Sequence, residues 1–195
     1  MRLIRARIDS AALRSNLQVI RSCAPGRRVM AVVKANAYGH GLTGTALALA
    51  DADAFAVARL EEAMVLREAG LKRRIVLLEG VFDAAQLREA ARLDLDLVVH
   101  QDLQLALLEA EHSERRFRLW LKVDTGMNRL GFRPEQFRHA WQRLGYLSPP
   151  PLELRVLTHL AGADEEDGVI HVALGDRMLG IDRPGERPIH ALLLR

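Results

Sequence analysis

Cysteine occurs once in the 195 residues, at Cys23, so an internal disulfide is excluded and a reducing, cytoplasmic setting is expected. Cys23 falls near the end of a predicted helix, where a small residue is expected to pack rather than to react. Aromatic residues make up only 5% of the chain. No basic run is interleaved with stacking rings, as single-stranded nucleic acid requires. No apolar run approaches the ~18 residues of a membrane span. The opening, with Arg2, Arg5 and Arg7, has no apolar stretch behind it that would make a secretory signal. The sequence pI is near 9.5, yet the formal charge is only +3. The arginines alternate with acids, as in Arg59-Leu60-Glu61-Glu62 and Arg88-Glu89, which reads as solvated helix faces. Neither a nucleic-acid nor a membrane partner is expected. Lysine is the other scarcity: among 28 basic residues only Lys34, Lys72 and Lys122 are lysines.

What is present is a 49% hydrophobic chain with a repeating pattern. Arg5 to Ile8 reads as an extended entry. Asp9 or Ser10 can cap a helix with Leu13, Leu17 and Ile20 on one face, ended by Ala24-Pro25-Gly26. A β-branched run, Val29 to Val33, leads to Lys34, a glycine-punctuated turn and a helix from about Gly41 to Asp51. Further strands are expected at Ala54 to Ala58, Ile75 to Leu78, Leu97 to Val99, Phe117 to Val123 and Leu152 to Thr158. Helices follow them: one carries Leu60, Ala63, Met64 and Leu66 and stops at Gly70, and two begin near Asp83 and Asp102. The helix Pro134 to Leu144 buries Phe137, Ala140, Trp141 and Leu144, and Pro149-Pro150-Pro151 forms a rigid link.

Short, near-continuous apolar strands alternating with amphipathic helices indicate an α/β protein whose parallel sheet is covered on both faces. Regular spacing without a long excursion favours a (β/α)8 barrel over an open doubly wound sheet. A barrel of this kind needs eight strands and ~250 residues; about six strand-helix units are legible, so the barrel is expected to be incomplete. After Asp167 the texture changes. Residues 168–195 give a weak helical segment at Val172 to Leu179, a charged Pro-Gly stretch and Leu192-Leu193-Leu194, with no convincing strand-helix unit. A truncation, or a change of reading frame near the end, is the expectation for this tail.

In either parallel architecture ligands bind at the carboxyl ends of strands. Those positions hold Lys34, Arg59, Glu79, His100, Lys122 with Asp124, and His159. The set lacks metal ligands at helical i, i+4 spacing, a Gly-x-Ser-x-Gly elbow and a reactive cysteine, so metal hydrolysis and acyl transfer are unsupported. Lys34 is the distinctive member. Burial disfavours an ammonium ion and leaves a free amine able to form a Schiff base, although a lysine that snorkels at the rim fits the same position. Gly39-x-Gly41-x-x-Gly44 matches a dinucleotide fingerprint. Against that reading, four residues separate it from Lys34, and the next strand ends in Arg59 where an NAD site wants an acid. In the segment Leu121 to Phe132, a glycine-bounded loop projects Arg129, whose planar fork suits a carboxylate or phosphate. An arginine that ties down its own loop fits equally.

The stretch Val32-Val33-Lys34-Ala35-Asn36-Ala37-Tyr38-Gly39-His40-Gly41 resembles the pyridoxal-phosphate attachment signature of bacterial alanine racemases at every position. Similar pieces follow in the same order: Ile8-Asp9 with Ala12-Leu13, Val57 to Ala63, Leu77-Leu78-Glu79-Gly80, Leu121 to Phe132, and Thr158-His159-Leu160-Ala161. The resemblance covers roughly residues 4–167 and implies a partial cofactor-binding TIM-type barrel, with the family's C-terminal β domain missing. It implies that Lys34 holds pyridoxal 5'-phosphate covalently and acts as one of two racemisation bases, and that Tyr38 hydrogen-bonds the cofactor phosphate. His159 would pack against the cofactor ring. Arg129 would serve both the cofactor oxygen and the substrate carboxylate, and Lys122, carbamylated in many members, would orient that arginine. No metal is implied. The implied reaction is interconversion of L-alanine and D-alanine for peptidoglycan, by a cytoplasmic homodimer. In the family the opposite base is a tyrosine of the C-terminal domain of the partner subunit. An Asn-Ser-Ala motif and an arginine facing the pyridine nitrogen come from the last barrel units. These are absent, and Arg187 to Arg195 departs from the pattern, so the chain is expected to turn over poorly or not at all. Two alternatives stay open: a non-catalytic pyridoxal-phosphate homeostasis barrel, and a racemase of broader amino-acid specificity.

Overall fold

The computed structural model describes residues 6–111, 114–160 and 192–193. Two compact units divide inside one strand, β3 (Arg74–Leu77): the first lies within Met1–Ile75 and His190–Arg195, the second within Val76–Ile189.

In the first unit, helix α1 (Ser10–Cys23) begins where Asp9 is extended and its carboxylate accepts from the amides of Ala11 at 2.8 Å and Ala12 at 3.3 Å. This satisfies two of the four amides that a helix start leaves unpaired. Leu17 is buried, and Leu13 and Ile20 are half-buried, on the predicted face. Cys23 is exposed rather than packed, because the last turn of α1 leans its inward face on Ile20 and leaves Cys23 outside. Strand β1 (Val29–Val32) pairs in parallel with β2 (Ala54–Val57), every residue of which is buried, and on its other side with the short strand β7 (Leu192–Leu193). A strand at Leu192 was not expected from the sequence. The other features expected of the tail lie outside the described residues.

Between β1 and β2 lie α2 (Lys34–Tyr38), a single tight turn, and α3 (Leu42–Ala48). Helix α3 ends before the expected Asp51 because Asp53 must reach back to β1: its carboxylate accepts from the Val29 amide at 2.8 Å and its own amide donates to the Val29 carbonyl at 3.0 Å. Helix α4 (Leu60–Glu68) follows β2 and is closed by Gly70 at φ 84°, the left-handed conformation that glycine adopts without steric penalty.

In the second unit, β4 (Leu95–Val99), β5 (Arg118–Lys122) and β6 (Glu153–Leu157) lie side by side, all parallel, in the order β6-β5-β4. Helix α5 (Ala84–Arg92) leads into β4, and α6 (Asp102–Glu109) and α7 (Pro134–Gly145) connect β4 to β5 and β5 to β6. The strands of the second unit follow one another in chain order, without the reversal that marks a doubly wound sheet. Alternation puts Leu97, Val99, Leu119 and Leu121 on one face. The other face carries Asp96, Val98, Trp120, Lys122 and Arg155, with Val98 beside Trp120 and Trp120 beside Arg155.

Strand β4 begins two residues earlier than expected and takes in Asp96, which is 0% exposed. An aspartate is a poor strand former, but here Trp120 Nε1 donates to it at 2.9 Å and Arg118 Nε at 2.7 Å. The Arg155 guanidinium lies 5.0 Å above the Trp120 ring. Partners on the next strand, β5, override the local preference. Helix α7 buries Phe137, Ala140 and Leu144; Trp141 is half-buried and stacks on Phe137 with centroids 5.8 Å apart. Among the described residues no helix is long and apolar enough to cross a membrane.

Candidate active site

Lys34 follows the buried Val33, whose amide extends the β1 ladder by donating to the Ala56 carbonyl at 2.9 Å. It is half-buried at the carboxyl end of β1. The four residues after it, Ala35, Asn36, Ala37 and Tyr38, all have φ between 52° and 55°, a run of left-handed backbone made without glycine. Each such residue costs about 1–2 kcal/mol, so the surroundings must over-determine the turn. Ala37 is buried and its amide donates to the Val33 carbonyl at 2.8 Å. The Asn36 side-chain oxygen accepts from the Leu42 amide at 2.8 Å, capping α3. Gly39 and Gly41, at φ 88° and 89°, close the turn, and the Gly41 amide donates to the Asn36 carbonyl at 3.0 Å. Tyr38 leaves this turn 49% exposed.

The same geometry disposes of the dinucleotide fingerprint. The left-handed turn stands between β1 and Gly39, and Gly44 lies inside α3 with open space where a side chain would be, so no glycine loop opens directly from the strand. Arg59 is exposed at the start of α4.

In the second unit, His100, Lys122 and His159 follow or end β4, β5 and β6. His100 is 7% exposed and Lys122 is 8% exposed. The strand register that pairs Val99 with Leu121 makes His100 and Lys122 the next neighbours. The Glu79 carbonyl, not its exposed carboxylate, is the group that engages the histidine: it accepts from His100 Nε2 at 2.9 Å and from Gln104 Nε2 at 2.8 Å. With Nε2 thus donating, neutral His100 carries its lone pair on Nδ1. Gln104 Oε1 accepts from the His100 amide at 2.8 Å. Burial pushes the His100 imidazole below its ordinary pKa; the Glu79 carbonyl opposes that and the Lys122 charge adds to it. Gly80, at φ 66°, makes this possible, since a Cβ there would lie 2.3 Å from the Val98 carbonyl oxygen and 2.5 Å from Gln104 Nε2.

The Arg129 loop is clamped at its neck. The Asp124 amide donates to the Phe132 carbonyl and the Phe132 amide to the Lys122 carbonyl, both at 2.9 Å. The Asp124 carboxylate accepts from the amides of Gly126 and Asn128 at 3.0 Å each, and these bonds hold it below the usual carboxylate range. Asp124 is therefore used by its own loop, and Arg129 stands exposed at the tip. Thr158 Oγ1 donates to the Val123 carbonyl at 3.0 Å and meets Thr125 Oγ1 at 2.8 Å, which ties the end of β6 to the Arg129 loop. His159 is half-buried with its Nε2 atom inside. Among the described residues no cluster of three His, Cys, Asp or Glu side chains could hold a metal ion.

Three groups here escaped the sequence reading: Gln104, Asn36, and Glu62 of α4, whose carboxylate accepts from the amides of Asn36, Ala58 and Arg59. Gln104 lies one helical turn after His100 among apolar positions of α6, and a polar residue on a buried helix face is the signal that would have found it. The other two act through backbone amides, which leave no pattern in a sequence.

Each unit is of parallel α/β architecture with candidate ligand-binding groups at its strand ends, an amine in the first and imidazoles in the second, the class of fold in which ligands bind at strand ends. The chain belongs to the alanine racemase family, matching the family described as alanine racemase, N-terminal domain, over residues 8–174. It is 44% identical over 188 residues to an alanine racemase of Shewanella sediminis, covering 95% of this chain and 52% of that protein. It is 49% identical over 160 residues to the biosynthetic alanine racemase of Salmonella typhimurium, covering 82% and 45%. Among solved structures it is similar to the biosynthetic alanine racemase of Pseudomonas aeruginosa, with a TM-score of 0.76, 44% identity, and 80% of this chain and 44% of that one covered. The fold is thus part of that family's TIM-type barrel domain, and the chain spans about half the length of the curated relatives it matches.

Proposed function

We propose that this chain carries the pyridoxal-phosphate half-site of an alanine racemase, a cytoplasmic homodimer that interconverts L-alanine and D-alanine for peptidoglycan. The observation that carries the reading is Lys34, a half-buried amine fixed at the mouth of β1 by a strained turn. The donor set fits the cofactor. In the first unit an amine and a phenol on one short turn suit an aldehyde and a phosphate. In the second an imidazole with a buried Nε2, an exposed guanidinium and a buried lysine suit an aromatic ring and a carboxylate.

When bound, pyridoxal phosphate supplies the electron sink that acidifies the Cα proton of an amino acid. Lys34 anchors the cofactor and then, as a free amine, takes and returns that proton at Nζ on one face. Tyr38 donates its hydroxyl to the phosphate. Arg129 orients the substrate carboxylate, Lys122 orients Arg129, and His159 packs on the ring. These roles fall within residues 4–167.

The test is a titration of the 195-residue chain with pyridoxal phosphate, read as visible absorbance, for wild type and Lys34→Ala, followed by a D-alanine assay. A saturable band in the wild type only, with any racemisation lost in Lys34→Ala, is the expected result. Equal spectra for the two proteins would contradict the assignment of Lys34. D-alanine formation undiminished in Lys34→Ala would contradict its role as a base.

A further inference from the structure

Glu62 lies in the first turn of α4, and its carboxylate does more than cap that helix. Oε2 accepts from the amides of Ala58 at 3.0 Å and Arg59 at 3.2 Å, while Oε1 accepts from the Asn36 amide at 3.4 Å. Asn36 sits two residues after Lys34, in the left-handed run, and its side chain in turn accepts from the Leu42 amide at 2.8 Å. One residue of a conformationally unfavourable turn is therefore held at both ends, by Glu62 on its main chain and by α3 on its side chain.

We propose that Glu62 is a positioning residue for Lys34: through Asn36 it fixes the left-handed turn that aims the Lys34 amine out of the end of β1. The proposal rests on the reading of Lys34 as the cofactor-anchoring amine. Three backbone donors converge on one side chain, and only a carboxylate has two acceptor oxygens to receive them. A glutamine in the same place keeps its one oxygen on the two closer amides of the β2–α4 junction and turns its NH2 toward the Asn36 amide, donor against donor. An aspartate keeps the charge but lacks the methylene needed to span from α4 to the turn. The two oxygens divide the labour, with Oε2 on the helix start and Oε1 on the turn, so the effect on Lys34 is separable from α4 capping. Glu61, exposed on the same helix turn, is the matched control.

The test uses the full chain as wild type, Glu62→Gln, Glu62→Asp and Glu61→Gln, with three readouts. Amide hydrogen exchange at Asn36 and Leu42 reports the turn. The rate of Lys34 acetylation by trace acetic anhydride, divided by that of exposed Lys72, reports the amine without any cofactor. Pyridoxal-phosphate affinity reports the anchored function. Glu62→Gln is expected to speed exchange at Asn36 and Leu42 at least tenfold. The same variant should change the Lys34:Lys72 ratio severalfold and weaken cofactor affinity at least tenfold, with exchange in α7 unchanged. Glu62→Asp should behave similarly and Glu61→Gln like wild type. Wild-type exchange at Asn36 in Glu62→Gln, or faster exchange with an unaltered Lys34:Lys72 ratio, overturns the proposal. Failure of the wild type to bind the cofactor removes the cofactor reading alone, because exchange and acetylation still decide whether Glu62 positions Lys34.

Discussion

His100 titrates against its surroundings. Its folded-state pKa is depressed, chiefly by burial, with the charge of Lys122 adding to the effect. A group depressed in this way contributes stability that is fully present above its unfolded value, about 6.5, and is lost as pH falls from there toward the folded value. The lowered carboxylates Asp124, Glu89 and Glu109 start from values of 3.8 or 4.5, so their losses fall at lower pH. Urea midpoints measured from pH 7.5 to 5.5 should therefore decline in the wild type and decline less in His100→Gln; parallel declines would contradict the burial account. Lys34, Lys122 and His100 were legible because strand ends can be read from apolar runs. Gln104, Asn36 and Glu62 were not, since each owes its role to a backbone group brought near by folding.

Among elements, the Glu79-Gly80 turn is the least tolerant. Gly80 combines φ 66° with a backbone oxygen and a buried amide where a Cβ would go. Gly80→Ala should destabilise by roughly 2–5 kcal/mol, the sum of left-handed strain and overpacking, measured by urea denaturation. A loss under about 0.5 kcal/mol, the range of an ordinary surface change, would mean that the turn relaxes. Strand β4 makes a second case. Its length was misread because Asp96 interrupts an apolar run, and the run is continuous only once Trp120 and Arg118 cover the charge. Removing one partner of a buried ion pair costs about 3–5 kcal/mol, so Asp96→Ala should lower stability on that scale. The left-handed turn after Lys34 was legible only as a turn: alanine carries no signal for positive φ, and the conformation is imposed by the contacts of Asn36 and Ala37.

At the scale of the whole molecule, the alternation of short buried strands with helices was enough to give a parallel α/β fold, because its period is set by local pattern. The seventh strand was not legible, since two leucines pair with β1 only by long-range register. Residues 8–174 match the N-terminal domain of a longer family fold, and the proposed reading of Lys34 predicts cofactor capture at that lysine. The most direct test is to incubate the chain with pyridoxal phosphate, reduce with borohydride and locate the label by peptide mass spectrometry. The account predicts that Lys34 carries the label, well above Lys72 and Lys122. Equal labelling of the three lysines, or a label confined to Lys72, would contradict it.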